Sequence, residues 1–157
     1  METKQPRLYV LIGIPGSGKT TWVQNQDWAQ DCVYVSTDTY VEQYAKSLDK
    51  TYTEVFEEFM PEAVNLMCQD VIVARSKDQD IIWDQTSTTV ISRQRKFNML
   101  PDYYAVAVVF RCPNVDELVR RLLSRPGKVI PVDVLHSMIK NFEIPTEEEG
   151  FKEIWYA

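Results

Sequence analysis

The chain has 157 residues, 45% of them hydrophobic and 25% charged, enough for one well-buried domain and too few for two ordinary ones. It has no apolar run of roughly 18 residues and no basic, apolar start, so it reads as a cytoplasmic protein with no membrane span and no export signal. The net charge of -6 argues against broad, sequence-independent wrapping of nucleic acid, which depends on neutralising many phosphates, and leaves open a grip on one end.

The first predicted element is a strand, Leu8–Ile12 (LYVLI), a short apolar run of the kind buried in a parallel sheet. It leads into Gly13-Ile14-Pro15-Gly16-Ser17-Gly18-Lys19-Thr20, a G-x-x-x-x-G-K-[ST] loop. In that pattern Gly13, Gly16 and Gly18 let the backbone turn so that successive N–H groups face phosphate oxygens. Lys19 then reaches the β- and γ-phosphates and the Thr20 hydroxyl holds Mg²⁺. Pro15, Ser17 and Thr21 complete the candidate nucleotide-binding set, and TTWVQNQ is compatible with the helix that should follow. The second strand is Cys32–Val35, with Asp38 just past its end. A carboxylate there can take the proton of an acceptor hydroxyl, or it can cap the next helix; the residues alone leave both readings open.

From Tyr52, apolar residues recur at three- and four-residue steps through Val55, Phe59, Ala63, Met67 and Val71, which predicts a helix that Pro61 kinks or restarts. Ile81–Trp83 is the third strand, and Asp84 at its end fits either a place near Mg²⁺ or an Asx turn into Gln85-Thr86-Ser87. Tyr104–Phe110 is the fourth. A helix through Val115, Leu118, Val119, Leu122 and Leu123 carries Arg120 and Arg121 at its end, and Arg125-Pro126-Gly127-Lys128 follows. Arginine there can spread donors over a transferring phosphoryl group from a mobile lid, whereas Arg120 is read as a cation favouring a helix C-terminus. After Pro131 comes a helix through Val132, Leu135, Met138, Ile139 and Phe142. The C-terminal EEEGFKEIWYA is read as a final strand sealing the sheet in preference to an assembly contact. Strands alternating with helices make the class α/β.

Cys32, Cys68 and Cys112 are odd in number and far apart, with one histidine, His136, so neither a disulfide framework nor a zinc site is supported. Each cysteine is expected to be a small buried hydrophobe, and His136 to be structural. Trp22, Trp28, Trp83 and Trp155 are expected in or at the edge of the core. Arg93, Arg95, Lys96, Arg111, Arg120, Arg121, Arg125 and Lys128 suggest a local basic groove on an acidic body.

Taken in order, Gly13 to Trp22, Asp38 with Tyr40, Asp84, the arginine loop and the run IPVDVLHSM from Ile130 to Met138 resemble the kinase domain of bacteriophage polynucleotide 5′-kinases. The likeness covers nearly the whole chain. It implies a small P-loop kinase fold: a central parallel sheet of four to five strands, helices on both faces, and an arginine-bearing lid, with residues 1–157 forming one kinase domain. It also implies ATP and Mg²⁺ on one side of a tunnel and a nucleic-acid acceptor on the other. By position, Lys19 and Thr20 would serve ATP and Mg²⁺, Asp38 would be the general base, Arg125 the lid arginine, and Arg121 a neighbour of the nucleotide. The acceptor would be a 5′-OH end of DNA or RNA. A hydroxymethyluracil base in DNA, a nucleoside or small metabolite, and a non-catalytic nucleotide switch are the alternatives. Where the family carries a basic residue shortly after the tyrosine, this chain has Val41, and QTSTT replaces a more usual T-N segment.

Overall fold

Five strands form one parallel sheet in the order β2-β3-β1-β4-β5: β1 (Arg7–Ile12), β2 (Val33–Val35), β3 (Ile81–Asp84), β4 (Tyr104–Val109) and β5 (Glu153–Tyr156). The computed structural model describes residues 4–157. The three central strands are apolar on both faces because helices cover both. Leu8, Val10 and Ile12 of β1 face one layer with Trp83 and Ala107, packed by Met67, Val71 and Ala74. Tyr9 and Leu11 face the other with Ile82, Val106 and Val108, against Trp22, Trp28 and Trp155. The C-terminal segment is the fifth strand, parallel to β4 with Val106 opposite Glu153, as expected of a sealing strand.

The helices are α1 (Lys19–Gln24), α2 (Thr37–Ser47), α3 (Tyr52–Ser76), α4 (Val90–Met99), α5 (Val115–Leu123) and α6 (Val132–Lys140). Helix α3 starts at a capping box in which Thr51 Oγ1 accepts from Glu54 N and Glu54 answers at Thr51 N. It then runs unbroken through Pro61, neither restarting nor ending there. Pro61 cannot donate to the Glu57 carbonyl, and both residues lie on the exposed face, where the carbonyl is open to solvent. None of the described helices is long and apolar enough to cross a membrane.

Several expectations are corrected. Arg93 and Lys96 do not belong to a surface groove, because α4 turns both inward. The Arg93 guanidinium is fully buried, donating to Glu149 at 2.7 and 3.1 Å and to the Ser87 carbonyl at 2.9 Å. Lys96 is 5% exposed, with its ammonium 5.1 Å from the centre of the Trp83 ring. Cys32 and Cys68 are half-buried and Cys112, in the loop after β4, is exposed, so none of the three is a fully buried hydrophobe. His136 is exposed on α6, which rules out a packing role. In that helix Leu135 and Met138 are half-covered while Val132 and Ile139 remain exposed.

Candidate active site

The site lies at the C-terminal ends of β1 and β3, neighbours in the sheet, where α/β folds bind ligands. The loop after β1 is tied to the end of β3 through Gly13 N, which donates to the Thr86 carbonyl at 3.0 Å. Gly16 and Gly18 take φ of +83° and +100°, values that a Cβ would strain. The Ser17 hydroxyl is buried and has no partner among the described residues. Lys19 folds back onto the loop, its Nζ donating to the carbonyls of Gly13 and Ile14 at 2.9 and 3.1 Å. Burial pushes its pKa down to about 8, against the pull of Asp84 and Asp38. Pro15 is half-buried beside the loop, and Thr21 is exposed on α1.

Thr20 and Asp84 come together, with Thr20 Oγ1 3.4 Å from Asp84 Oδ2. Asp84 is 7% exposed and also accepts from the Tyr34 hydroxyl. Burial raises its pKa, opposed by the Tyr34 hydrogen bond and by Lys19. The donor set fits a nucleoside triphosphate with Mg²⁺. An unpartnered buried hydroxyl and a loop of freely turning glycines face the phosphate position, with a hydroxyl and a carboxylate converging beside it.

Asp38 is in the first turn of α2, and the cap of that helix is Ser36, whose Oγ accepts from Asp38 N at 3.1 Å. The capping reading of Asp38 is thereby overturned, and its carboxylate is left for other partners. Oδ1 accepts from the Tyr52 hydroxyl at 2.6 Å and Oδ2 from Lys128 Nζ at 2.9 Å. Lys128 also lies 3.6 Å from Glu42 and 4.3 Å from the centre of the Tyr52 ring. Burial raises the Asp38 pKa, but Lys128, the Tyr52 hydrogen bond and Lys19 outweigh it, and the carboxyl ends below its ordinary value.

The loop after α5 closes over these groups. Thr53 N donates to the Gly127 carbonyl at 3.1 Å and Val129 N to Thr53 Oγ1 at 2.8 Å, so the loop is docked on the start of α3. Arg125, half-buried, lines a cavity of about 740 Å³ together with Thr20, Glu42, Tyr52 and Lys128. Arg121 donates to the Gly16 carbonyl at 3.0 Å and to Glu117 at 2.8 Å, which sets it against the phosphate loop. Arg120 points outward onto Glu117, as expected of a surface cation.

Lys19, Thr20, Asp38, Asp84, Arg121 and Arg125 thus gather in one region from five separate segments. Sequence reasoning assigned no role to Lys128, Tyr52 or Tyr34, all of which bond the two carboxylates. Lys128 stood in the arginine loop as one cation among several, and the two tyrosines carried no motif. Val41 is fully buried between α2 and α3, among Ala45, Val55 and Ala63, and so cannot face a ligand.

A family profile described as "AAA domain" matches residues 8–145. A bifunctional polynucleotide phosphatase/kinase of Schizosaccharomyces pombe is 23% identical over 158 residues, covering 98% of this chain and 34% of that protein. The chain spans about a third of the length of the curated relatives it matches. Among solved structures, a protein from Chloroflexus aurantiacus assigned to the kinases superposes with a TM-score of 0.72 at 20% identity, covering 99% of this chain and 86% of that one. A chain of the Pnkp1/Rnl/Hen1 RNA repair complex gives 0.65 at 23% identity, covering 89% of this chain and 45% of that one. The five-stranded parallel sheet flanked by helices is therefore the fold of P-loop kinases, and the chain belongs to the AAA domain family of P-loop proteins.

Proposed function

We propose that the protein is an ATP-dependent polynucleotide kinase that transfers the γ-phosphoryl group of ATP to a nucleic-acid hydroxyl, the 5′-OH end of DNA or RNA, with residues 1–157 acting as one P-loop kinase domain. The observation that carries this reading is Asp38: a carboxylate held below its ordinary pKa beside Tyr52 and Lys128, in the same site as a phosphate loop and a docked arginine loop. Support for a phosphotransferase comes from the fold and the family. Support for the acceptor class comes from the name of the Schizosaccharomyces pombe relative.

The loop amides, Ser17 and Lys19 would hold the β- and γ-phosphate oxygens, and Arg121 would stand beside them. Thr20 and Asp84 would hold Mg²⁺, directly or through water, which neutralises charge on the triphosphate. Asp38 would take the proton from the acceptor hydroxyl as that oxygen bonds to the γ-phosphorus. The bond from that phosphorus to the bridging oxygen of the β-phosphate breaks, and ADP leaves. Arg125 would spread its donors over the equatorial oxygens in flight. At neutral pH Asp38 is already ionised, so the base is ready before the acceptor arrives.

Replacing Asp38 with Ala is expected to lower kcat about 10²- to 10⁴-fold while the KM for ATP changes little. Steady-state kinetics with labelled ATP and a 5′-OH oligonucleotide measure this. Full activity in the variant would overturn the assignment of the base.

A further inference from the structure

Neither the start of α3 nor the core depends on Thr53. The capping box of that helix is Thr51 with Glu54, and Thr53 is exposed. Yet Thr53 holds the arginine loop at two points. Its N–H is one of the donors that a helix start leaves without an intrahelical partner, and it meets the Gly127 carbonyl at 3.1 Å. Its hydroxyl accepts from Val129 N at 2.8 Å. Lys128, between those two residues, reaches Asp38 at 2.9 Å and Glu42 at 3.6 Å.

The loop passes this seat on to Arg125. In Arg125-Pro126-Gly127-Lys128, Lys128 N donates to the Arg125 carbonyl at 3.4 Å. Proline stands second and glycine third, with a φ of +71° at Gly127, the residue pattern of a type II turn. Proline fixes its own φ, and the turn's own hydrogen bond closes the rest, so the four residues act as one stiff unit. A Cβ on Gly127 would stand 2.9 Å from Thr51 Cβ and Cγ2, a measure of how closely the turn sits on α3. At one corner of the turn Arg125 lines the cavity with Thr20, and at the other Lys128 bonds Asp38.

We propose that Thr53 is a positioning residue, whose N–H and hydroxyl seat the turn and so set Arg125 over the phosphoryl group and Lys128 on the base together. The proposal rests on the kinase reading and adds to it a link between the donor and acceptor sides. With the seat loosened, Arg125 leaves the place where charge gathers in the transition state. The phosphate loop and Arg121, which would hold ATP, make no contact with Thr53. The loss therefore falls on kcat and spares the KM for ATP.

Limited trypsin digestion reads the seat without any reaction. Trypsin cuts after Lys128, whose side chain must first leave Asp38, and does not cut after Arg125, where proline follows. Thr53→Val keeps the N–H and the side-chain shape and removes the acceptor. Cleavage between Lys128 and Val129 should quicken about fivefold, the worth of one hydrogen bond, with cleavage after the exposed Lys77 at the far end of α3 unchanged. Gly127→Ala disturbs the same seat from the loop side and should quicken it as well. In transfer from labelled ATP to a 5′-OH oligonucleotide, Thr53→Val should lower kcat about tenfold or more and leave the KM for ATP within about twofold of its wild-type value. Thr53→Ser, which keeps the hydroxyl, should restore most of the protection and most of the rate. Unchanged cleavage after Lys128 in Thr53→Val, equal acceleration after Lys77, or the same loss of kcat in Thr53→Ser overturns the proposal. Hydroxyl-dependent protection of Lys128 in a protein that transfers to no acceptor overturns the kinase reading and leaves the seat standing.

Discussion

Asp38 and Lys96 are two charged groups brought into protein by opposite means, and each makes a pH-dependent prediction. Asp38 is partly buried, which alone would raise its pKa, and is carried below the ordinary value by Lys128, Tyr52 and Lys19. A depressed carboxyl contributes stability above its unfolded pKa and loses it as pH falls through the folded value. If Asp38 is the base as proposed, its kinetic counterpart is a group that stays ionised into mild acid. In Lys128→Met the cation is gone, the Asp38 pKa rises, and the acid limb of the kcat–pH profile should move to higher pH, with Lys128→Arg restoring most of the original profile. An acid limb that does not move in Lys128→Met would show that the lysine does not tune the base. Lys96 has no carboxylate partner: burial, then Arg95 and Arg93, lower its pKa from 10.5 to about 8. At pH 7 it is charged both folded and unfolded, and the burial cost is fully present. Above about pH 8 the folded state sheds its proton first, so wild-type stability should rise with pH toward 10.5. Lys96→Met is accordingly expected to be more stable at pH 7, by on the order of 1–3 kcal/mol, with the advantage shrinking as pH climbs from about 8. Thermal denaturation at several pH values measures it.

Helix α4 and the turn before β5 are joined by the fully buried ion pair of Arg93 and Glu149, with side-chain exposures of 0% and 6%. Breaking one partner leaves the other charge uncompensated in the interior, so Glu149→Gln should cost about 3–5 kcal/mol in urea unfolding. The pair Arg93→Met with Glu149→Leu should recover most of that, since two apolar groups leave no orphaned charge. The same helix explains what the sequence concealed. Strands β1, β3 and β4 were legible because burial on both faces demands continuous apolar runs. In α4 the buried positions are Arg93 and Lys96, which remove the apolar period that would have revealed it. Helix α2 was anticipated only as a helix following Asp38, without bounds, for a related reason: it buries only Thr37, Val41 and Ala45, too short a stripe to delimit. Pro61 does not start a second helix, because a proline on an exposed face removes one hydrogen bond without ending the run.

Over the whole molecule, the part of the site that spacing could reveal is the part built from one segment. Lys19 and Thr20 were readable because a loop that cradles phosphate needs its glycines, lysine and hydroxyl at fixed intervals. The Lys128 and Asp38 pair joins residues 90 positions apart, and the Tyr34 bond to Asp84 joins residues 50 apart; no local pattern encodes either. The fold closes the α5–α6 loop onto the start of α3, and the acceptor proposed for that side is the least legible feature and the most informative to test. The decisive measurement is the position of the label after incubation with γ-labelled ATP, Mg²⁺ and a single-stranded oligonucleotide, supplied with a 5′-OH, with a 5′-phosphate, or with an internal hydroxymethyluracil and a blocked end. The account predicts label on the 5′-OH strand alone, removable by a phosphatase. Label on the internal base, on a free nucleoside only, or on no acceptor despite tight nucleotide binding would contradict it.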